Sequence, residues 1–126
     1  MRYKKILLVD DDADDAEIFS MALHTIDEKL VCVIENNALQ ALKNLKAAKK
    51  LPDIIFLDFN MPYLDGHEFL KLLRDVEGLK KIPVVLYSGH TDEAMKELTK
   101  NFKKLDYLTK PNSYREIIKA LKKIIE

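Results

Sequence analysis

The sequence predicts an α/β fold, a doubly wound five-stranded parallel sheet with five helices. Three observations predict it. Short continuous apolar runs alternate with longer segments of helical spacing, the pair repeats five times, and no linker, low-complexity tract or internal repeat interrupts the alternation. Strand–helix units in series join their strands in parallel, and the crossover helices cover both faces of the sheet.

The first strand is predicted at residues 6–9, and the others at 30–34, 54–57, 84–87 and, more weakly, 105–108. Runs of four or five residues rich in Val, Ile and Leu suit strands buried on both faces. The first helix is marked by Ala16, Phe19, Ala22, Leu23 and Ile26, and the second by Ala38, Ala41, Leu42 and Leu45. Phe69, Leu70, Leu73 and Val76 repeat the spacing before the fourth strand, and a weaker helix with Ala94, Leu98 and Phe102 follows it. The last helix is the clearest, with Ile117, Ile118, Leu121, Ile124 and Ile125 at a period of 3.6. Pro52 and Pro83 stand just before strands, where a missing backbone donor is tolerated.

At 126 residues the chain reads as one domain over its whole length, 1–126, with no output domain. Lys+Arg and Asp+Glu both total 21, a formal net charge of zero, which argues against nucleic acid as the main partner. The lysines between residues 96 and 104 and in the last helix read as solvated helix faces. Cys32, the single cysteine, lies in an apolar run and reads as a small core hydrophobe rather than a reactive thiol. The four apolar residues before Asp10 are too few for a signal-peptide core or a membrane span, so a cytoplasmic location and no membrane partner are expected.

In parallel sheets of this kind the ligand site lies beyond the carboxyl ends of the strands. The first predicted strand ends in Asp10-Asp11-Asp12, with Asp14 and Asp15 following; the third ends in Asp58, the fourth in Ser88, and the fifth in Thr109-Lys110-Pro111. Carboxylates suit a hard cation such as Mg2+, and a carboxylate beside that ion can act as a nucleophile toward phosphorus. Metal and lysine together can then neutralise the equatorial oxygens of a transferring phosphoryl group, and a hydroxyl can donate to one of them. Each element also has an ordinary reading. Acids before a helix cap it, a lone Asp at a strand end is commonly a turn residue, and Ser88-Gly89 and Lys110-Pro111 read alone as a turn and a helix entry. Their joint placement at one sheet edge favours the chemical reading.

With these residues in view, the sequence resembles the receiver domains of bacterial two-component response regulators. Ile6-Leu7-Leu8-Val9-Asp10-Asp11-Asp12 is similar to the family's opening strand and acidic pair. The segment Asp53-Ile54-Ile55-Phe56-Leu57-Asp58-Phe59-Asn60-Met61-Pro62-Tyr63-Leu64-Asp65-Gly66 resembles its phosphoacceptor strand and loop. Val84-Val85-Leu86-Tyr87-Ser88-Gly89 and Asp106-Tyr107-Leu108-Thr109-Lys110-Pro111 are similar to its switch and lysine segments. The resemblance covers the entire chain and is nearest to single-domain, chemotaxis-type receivers. It implies a flavodoxin-like sheet of strand order 2-1-3-4-5 and a phosphoprotein of phosphorelay signal transduction. Asp58 would be the phosphoacceptor. Asp11 and Asp58 would bind Mg2+ through their side chains and Asn60 through its carbonyl, with Asp10 acting mainly through water. Lys110 would contact the acceptor and then the phosphoryl group, Ser88 would swing toward a phosphoryl oxygen, and Tyr107 would rotate inward behind it. Gly89 would leave room for the donor, and His90 and Asn60 would influence the phosphoryl lifetime.

The resemblance further implies a sensor histidine kinase or phosphotransfer protein as donor and an unknown downstream protein as reader, with no catalysis beyond the chain's own phosphorylation and dephosphorylation. Two departures fall on the face usually offered to partners. Asn101-Phe102-Lys103-Lys104-Leu105 stands where many receivers carry a Gly-Ala pair, and Asn112-Ser113 follows Lys110-Pro111 where phenylalanine is common. Two other functions fit the architecture less well. A magnesium-dependent phosphohydrolase with an aspartate nucleophile typically has a second acid two residues on, where this chain has Asn60. A flavodoxin-like cofactor binder needs a glycine- and hydroxyl-rich phosphate loop after the first strand, where the aspartates would repel the phosphate.

Overall fold

The computed structural model describes residues 2–61, 66–89 and 93–126. Strands β1 (Lys5–Val9), β2 (Val31–Glu35), β3 (Ile54–Asp58), β4 (Val84–Ser88) and β5 (Leu105–Thr109) alternate with helices α1 (Ala13–Ile26), α2 (Ala38–Ala47), α3 (Gly66–Asp75), α4 (Glu93–Asn101) and α5 (Tyr114–Ile125). All pairings are parallel and the order is β2-β1-β3-β4-β5, as the resemblance implies.

Side chains alternate across the sheet and make two cores. Ile6, Leu8, Ile54, Phe56, Val85 and Tyr87 pack against α1 and α5, where Phe19, Phe56 and Tyr87 meet edge to face with centroids 5.0 to 6.2 Å apart. Leu7, Val9, Ile55, Leu57, Val84 and Leu86 face α2, α3 and α4. Three helix starts are fixed by side-chain caps: the carboxylate of Asp12 accepts from Asp15 N, the amide oxygen of Asn37 from Gln40 N, and Ser113 Oγ from Glu116 N. Among the described residues, no helix is long and apolar enough to cross a membrane.

The structure corrects three expectations. Burial on both faces holds for β3 and β4, and nearly so for β1, but not for β5, where Leu105 alone is buried, nor for β2, where Val31, Val33 and Ile34 are exposed by 51%, 38% and 42%. This strand lies at the sheet edge with β1 as its one neighbour, so apolar composition there does not mean full burial. Cys32 is half-buried rather than core; burial still pushes its thiol up to about 11, so it stays protonated. In α4 the buried residues are Met95 and Leu98, with Ala94 exposed. Val76 and Phe102 lie one residue beyond α3 and α4 and still pack against the core.

The loops leading into β4 and β5 are tied together by one side chain. The Arg74 guanidinium donates to the carbonyl oxygens of Leu79 (3.1 Å), Ile82 (2.8 Å), Lys103 (3.1 Å) and Lys104 (3.1 Å). Lys104 itself has φ +56°, a left-handed conformation costly for a residue with a Cβ. It falls in the segment where the sequence departs from the family's glycine-containing pattern.

Candidate metal and phosphoacceptor site

The strand ends converge as expected. Asp10 follows β1 directly, Asp58 and Ser88 close β3 and β4, and Lys110 follows β5. Parallel register aligns these ends: Val9 pairs with Leu57, Asp58 with Tyr87, and Ser88 with Thr109. Asp10, Asp58 and Ser88 are also the buried polar residues among the described ones, at 1%, 4% and 0% exposure. Buried acids are rare unless paired or functional, and all of them here sit at one edge.

Lys110 links the carboxylates. Its ammonium lies 3.0 Å from Asp15 Oδ2, 3.4 Å from Asp10 Oδ2 and 3.6 Å from Asp58 Oδ2. Its backbone N–H donates to the Ser88 carbonyl, which joins the β4 and β5 ends. Asp10 is held by the Asp12 N–H (2.9 Å) and Asp58 by the Asn60 N–H (3.0 Å), so both carboxylates are oriented by the turn that follows them. Gly66, at the start of α3, faces the Phe59 ring so closely that a Cβ there would overlap it. The turn after Asp58 is thereby packed on the helix.

One ammonium does not balance these acids. Burial pushes the Asp10 carboxyl up to about 6, helped by its hydrogen bond and repulsion with Asp58; the Asp12 N–H and Lys110 oppose the shift without cancelling it. Burial alone would lower the Lys110 pKa, but the hydrogen bond to Asp15 and the charges of Asp10, Asp58 and Asp15 together hold it above its ordinary value. Carboxylate oxygens of Asp10, Asp11 and Asp58 lie within 4.8 Å of one another. Three acidic oxygen donors at that spacing, with surplus negative charge, fit a hard divalent metal ion.

Of the other expected residues, Asn60 is exposed with its side chain near Gly89. Tyr107 is turned outward, 38% exposed, on the α4 side of β5. His90 lies outside the described residues. Asp15 had no individual role in the sequence, yet it is the shortest ion-pair partner of Lys110. The signal for it is the Asp12 cap, which sets where α1 begins and hence which acid of the first turn reaches Lys110.

Comparison with known proteins agrees with this geometry. The model of the response regulator receiver domain matches residues 6–122. Response regulator Rcp1 of Synechocystis sp. is 32% identical over 130 residues, covering 96% of this chain and 86% of that protein. A CpxR homolog of Haemophilus influenzae, a transcriptional regulatory protein, is 35% identical over 121 residues, covering 96% of this chain and 50% of that one. The chain thus spans about half the length of the transcriptional regulators it matches. Among solved structures, the phosphorylated cyanobacterial phytochrome response regulator RcpA superposes with TM-score 0.84 at 29% identity, covering 97% of this chain and 91% of that one. The Mn2+-bound form of Rcp1 superposes with TM-score 0.80 at 28% identity, covering 96% and 91%.

A parallel sheet with an acidic, lysine-bridged pocket at its carboxyl edge defines a phosphoacceptor module. The chain belongs to the response regulator receiver domain family, a signalling family of two-component systems whose members take phosphoryl groups from histidine kinases or phosphotransfer proteins.

Proposed function

We propose that residues 1–126 act as one receiver domain, that Asp58 is its phosphoacceptor and that Mg2+ is its metal. The observation that carries this is the placement of Asp58: it is buried at the sheet edge, oriented by the Asn60 N–H, and 3.6 Å from the Lys110 ammonium. A carboxylate oxygen of Asp58 attacks the donor phosphorus while the bond from phosphorus to the donor imidazole nitrogen breaks. The electron pair leaves with that nitrogen, and the phosphoryl group remains as an acyl phosphate.

Asp11, Asp58 and the Asn60 carbonyl would hold Mg2+, with Asp10 acting through water; when bound, the ion neutralises charge on the phosphoryl oxygens. Lys110 supplies the second positive charge. Ser88 Oγ donates to a phosphoryl oxygen, and Tyr107 turns inward behind it, which couples phosphorylation to the surface of β4 and β5. The donor is a sensor histidine kinase or phosphotransfer protein, and the output is contact with a downstream protein or onward phosphotransfer. The phosphohydrolase alternative is not favoured, because the family is one of signalling phosphoacceptors and Asn60 replaces the acid that chemistry uses.

Incubation with Mg2+ and acetyl phosphate tests this reading. The expected result is an acid-stable, base-labile gain of one phosphoryl group that maps to Asp58 and disappears in Asp58→Asn. An unmodified wild type, or equal modification of the variant, would falsify it.

A further inference from the structure

Lys110 stands closer to Asp15 than to the carboxylate on which it is proposed to act. Its ammonium donates a 3.0 Å hydrogen bond to Asp15 and lies 5.2 Å from the centroid of the Tyr87 ring. Both partners belong to the α1/α5 side of the sheet: Asp15 is in the first turn of α1, and the Tyr87 ring packs in the core beneath α1 and α5. A cleft of about 260 Å³ opens there, lined by Asp15, Ile18, Tyr87, Lys110, Tyr114 and Ile117. Asp58, by contrast, is the most distant of the three carboxylates from the ammonium.

We propose that Asp15 is a positioning residue that holds the Lys110 ammonium toward α1 and α5 in the unphosphorylated chain and yields it to the phosphoryl group. The inference rests on Asp58 being the acceptor. Three carboxylates share one ammonium, and each increment of attraction to Asp15, the nearest of them, draws Lys110 away from Asp58. An incoming phosphoryl group must displace Asp15. The Asp15 side chain is 43% exposed, so water replaces the lost partner and the exchange is shallow. Asp14, one residue earlier, bears the same charge in the same helical turn and makes no ion pair with Lys110.

The test measures acetyl phosphate phosphorylation rates and beryllofluoride affinity, the latter by fluorine NMR with Mg2+, in wild type, Asp15→Asn, Asp15→Glu and Asp14→Asn. Release of a half-exposed ion pair predicts that Asp15→Asn reacts and binds about five-fold better than wild type. The advantage should shrink toward unity in about 1 M salt, where the Debye length falls to about 3 Å. Asp15→Glu should return both readings toward wild type, and Asp14→Asn should leave them unchanged. Equal gains in Asp14→Asn and Asp15→Asn would mean a diffuse field effect and overturn the proposal, as would no gain in Asp15→Asn. If wild type is phosphorylated at Asp58 and the Asp15 variants match it, the positioning role alone fails. If wild type is not phosphorylated, the acceptor assignment fails and the positioning role with it.

Discussion

Asp10 shows how a charged site weighs on its own fold. Its carboxyl is pushed up to about 6 by burial even with an ammonium 3.4 Å away. An acid whose folded pKa exceeds its unfolded value of about 3.9 binds more protons when folded between those limits. Its contribution to stability is therefore favourable below about pH 4 and is lost as the pH rises through 6. The resulting penalty at neutral pH is about 3 kcal/mol. Asp53 has the opposite sign. The Lys5 and Lys4 N–H groups hold its pKa down, so its contribution is present at neutral pH and lost in acid. The difference between wild type and Asp10→Asn isolates the first effect. In metal-free buffer, urea denaturation should show Asp10→Asn more stable by about 2–3 kcal/mol at pH 7.5, with the gap closing near pH 4. A constant gap across that range would remove the burial argument. At this scale the sequence was readable wherever a side chain sits at a strand end, as with Asp10, Asp58, Ser88 and Lys110. Asp15 was harder to see, because its contact depends on where α1 starts, and that is decided by a cap geometry one residue either way would change.

Between elements, Arg74 is the main tie. It closes the last turn of α3 and donates to carbonyls in both loops that lead into β4 and β5, the strands that present Ser88 and Lys110. Burial lowers its pKa, and it donates to carbonyl oxygens rather than pairing with a carboxylate among the described residues. A lysine has neither the forked shape nor the reach to serve both loops. Arg74→Ala should cost about 2–4 kcal/mol in chemical denaturation, and Arg74→Lys most of that. Hydrogen exchange should accelerate first in β4 and β5; a loss confined to α3 would contradict the account. None of this was visible in the sequence, which gives Arg74 no role of its own. Backbone carbonyls have no letter of their own. The exposure of β2 was hidden for a related reason: apolar runs identify strands, while strand order, which decides the edges, came only from the family resemblance.

For the whole molecule, zero net charge conceals a strong local imbalance. The carboxyl edge of the sheet gathers Asp10, Asp11 and Asp58, with one lysine paired to Asp10, Asp58 and Asp15, while the other ion pairs among the described residues are exposed and join residues three or four apart. Such surface pairs add little, so the site should dominate the electrostatic response. At tenfold the dissociation constant, Mg2+ should stabilise the chain by about 1.4 kcal/mol, a rise in Tm of about 5 °C. Chelation should reverse the rise and Asp11→Ala should abolish it, as measured by differential scanning calorimetry. An equal rise in Asp11→Ala would place the ion elsewhere. The fold class was legible because five apolar runs separated by amphipathic helices admit few other arrangements.

The stacking of Lys110 over Tyr87 has an optical consequence. The chain contains five tyrosines and no tryptophan, and burial pushes the Tyr87 hydroxyl up to about 12, so it remains a neutral phenol across ordinary buffers. A cation 5.2 Å from that ring centroid perturbs its electronic transition, and drawing the ammonium toward Asp58 removes the perturbation. The proposed phosphoacceptor site thus carries an intrinsic chromophore. Near-ultraviolet difference spectra can follow its occupancy in real time, without label and without indole background.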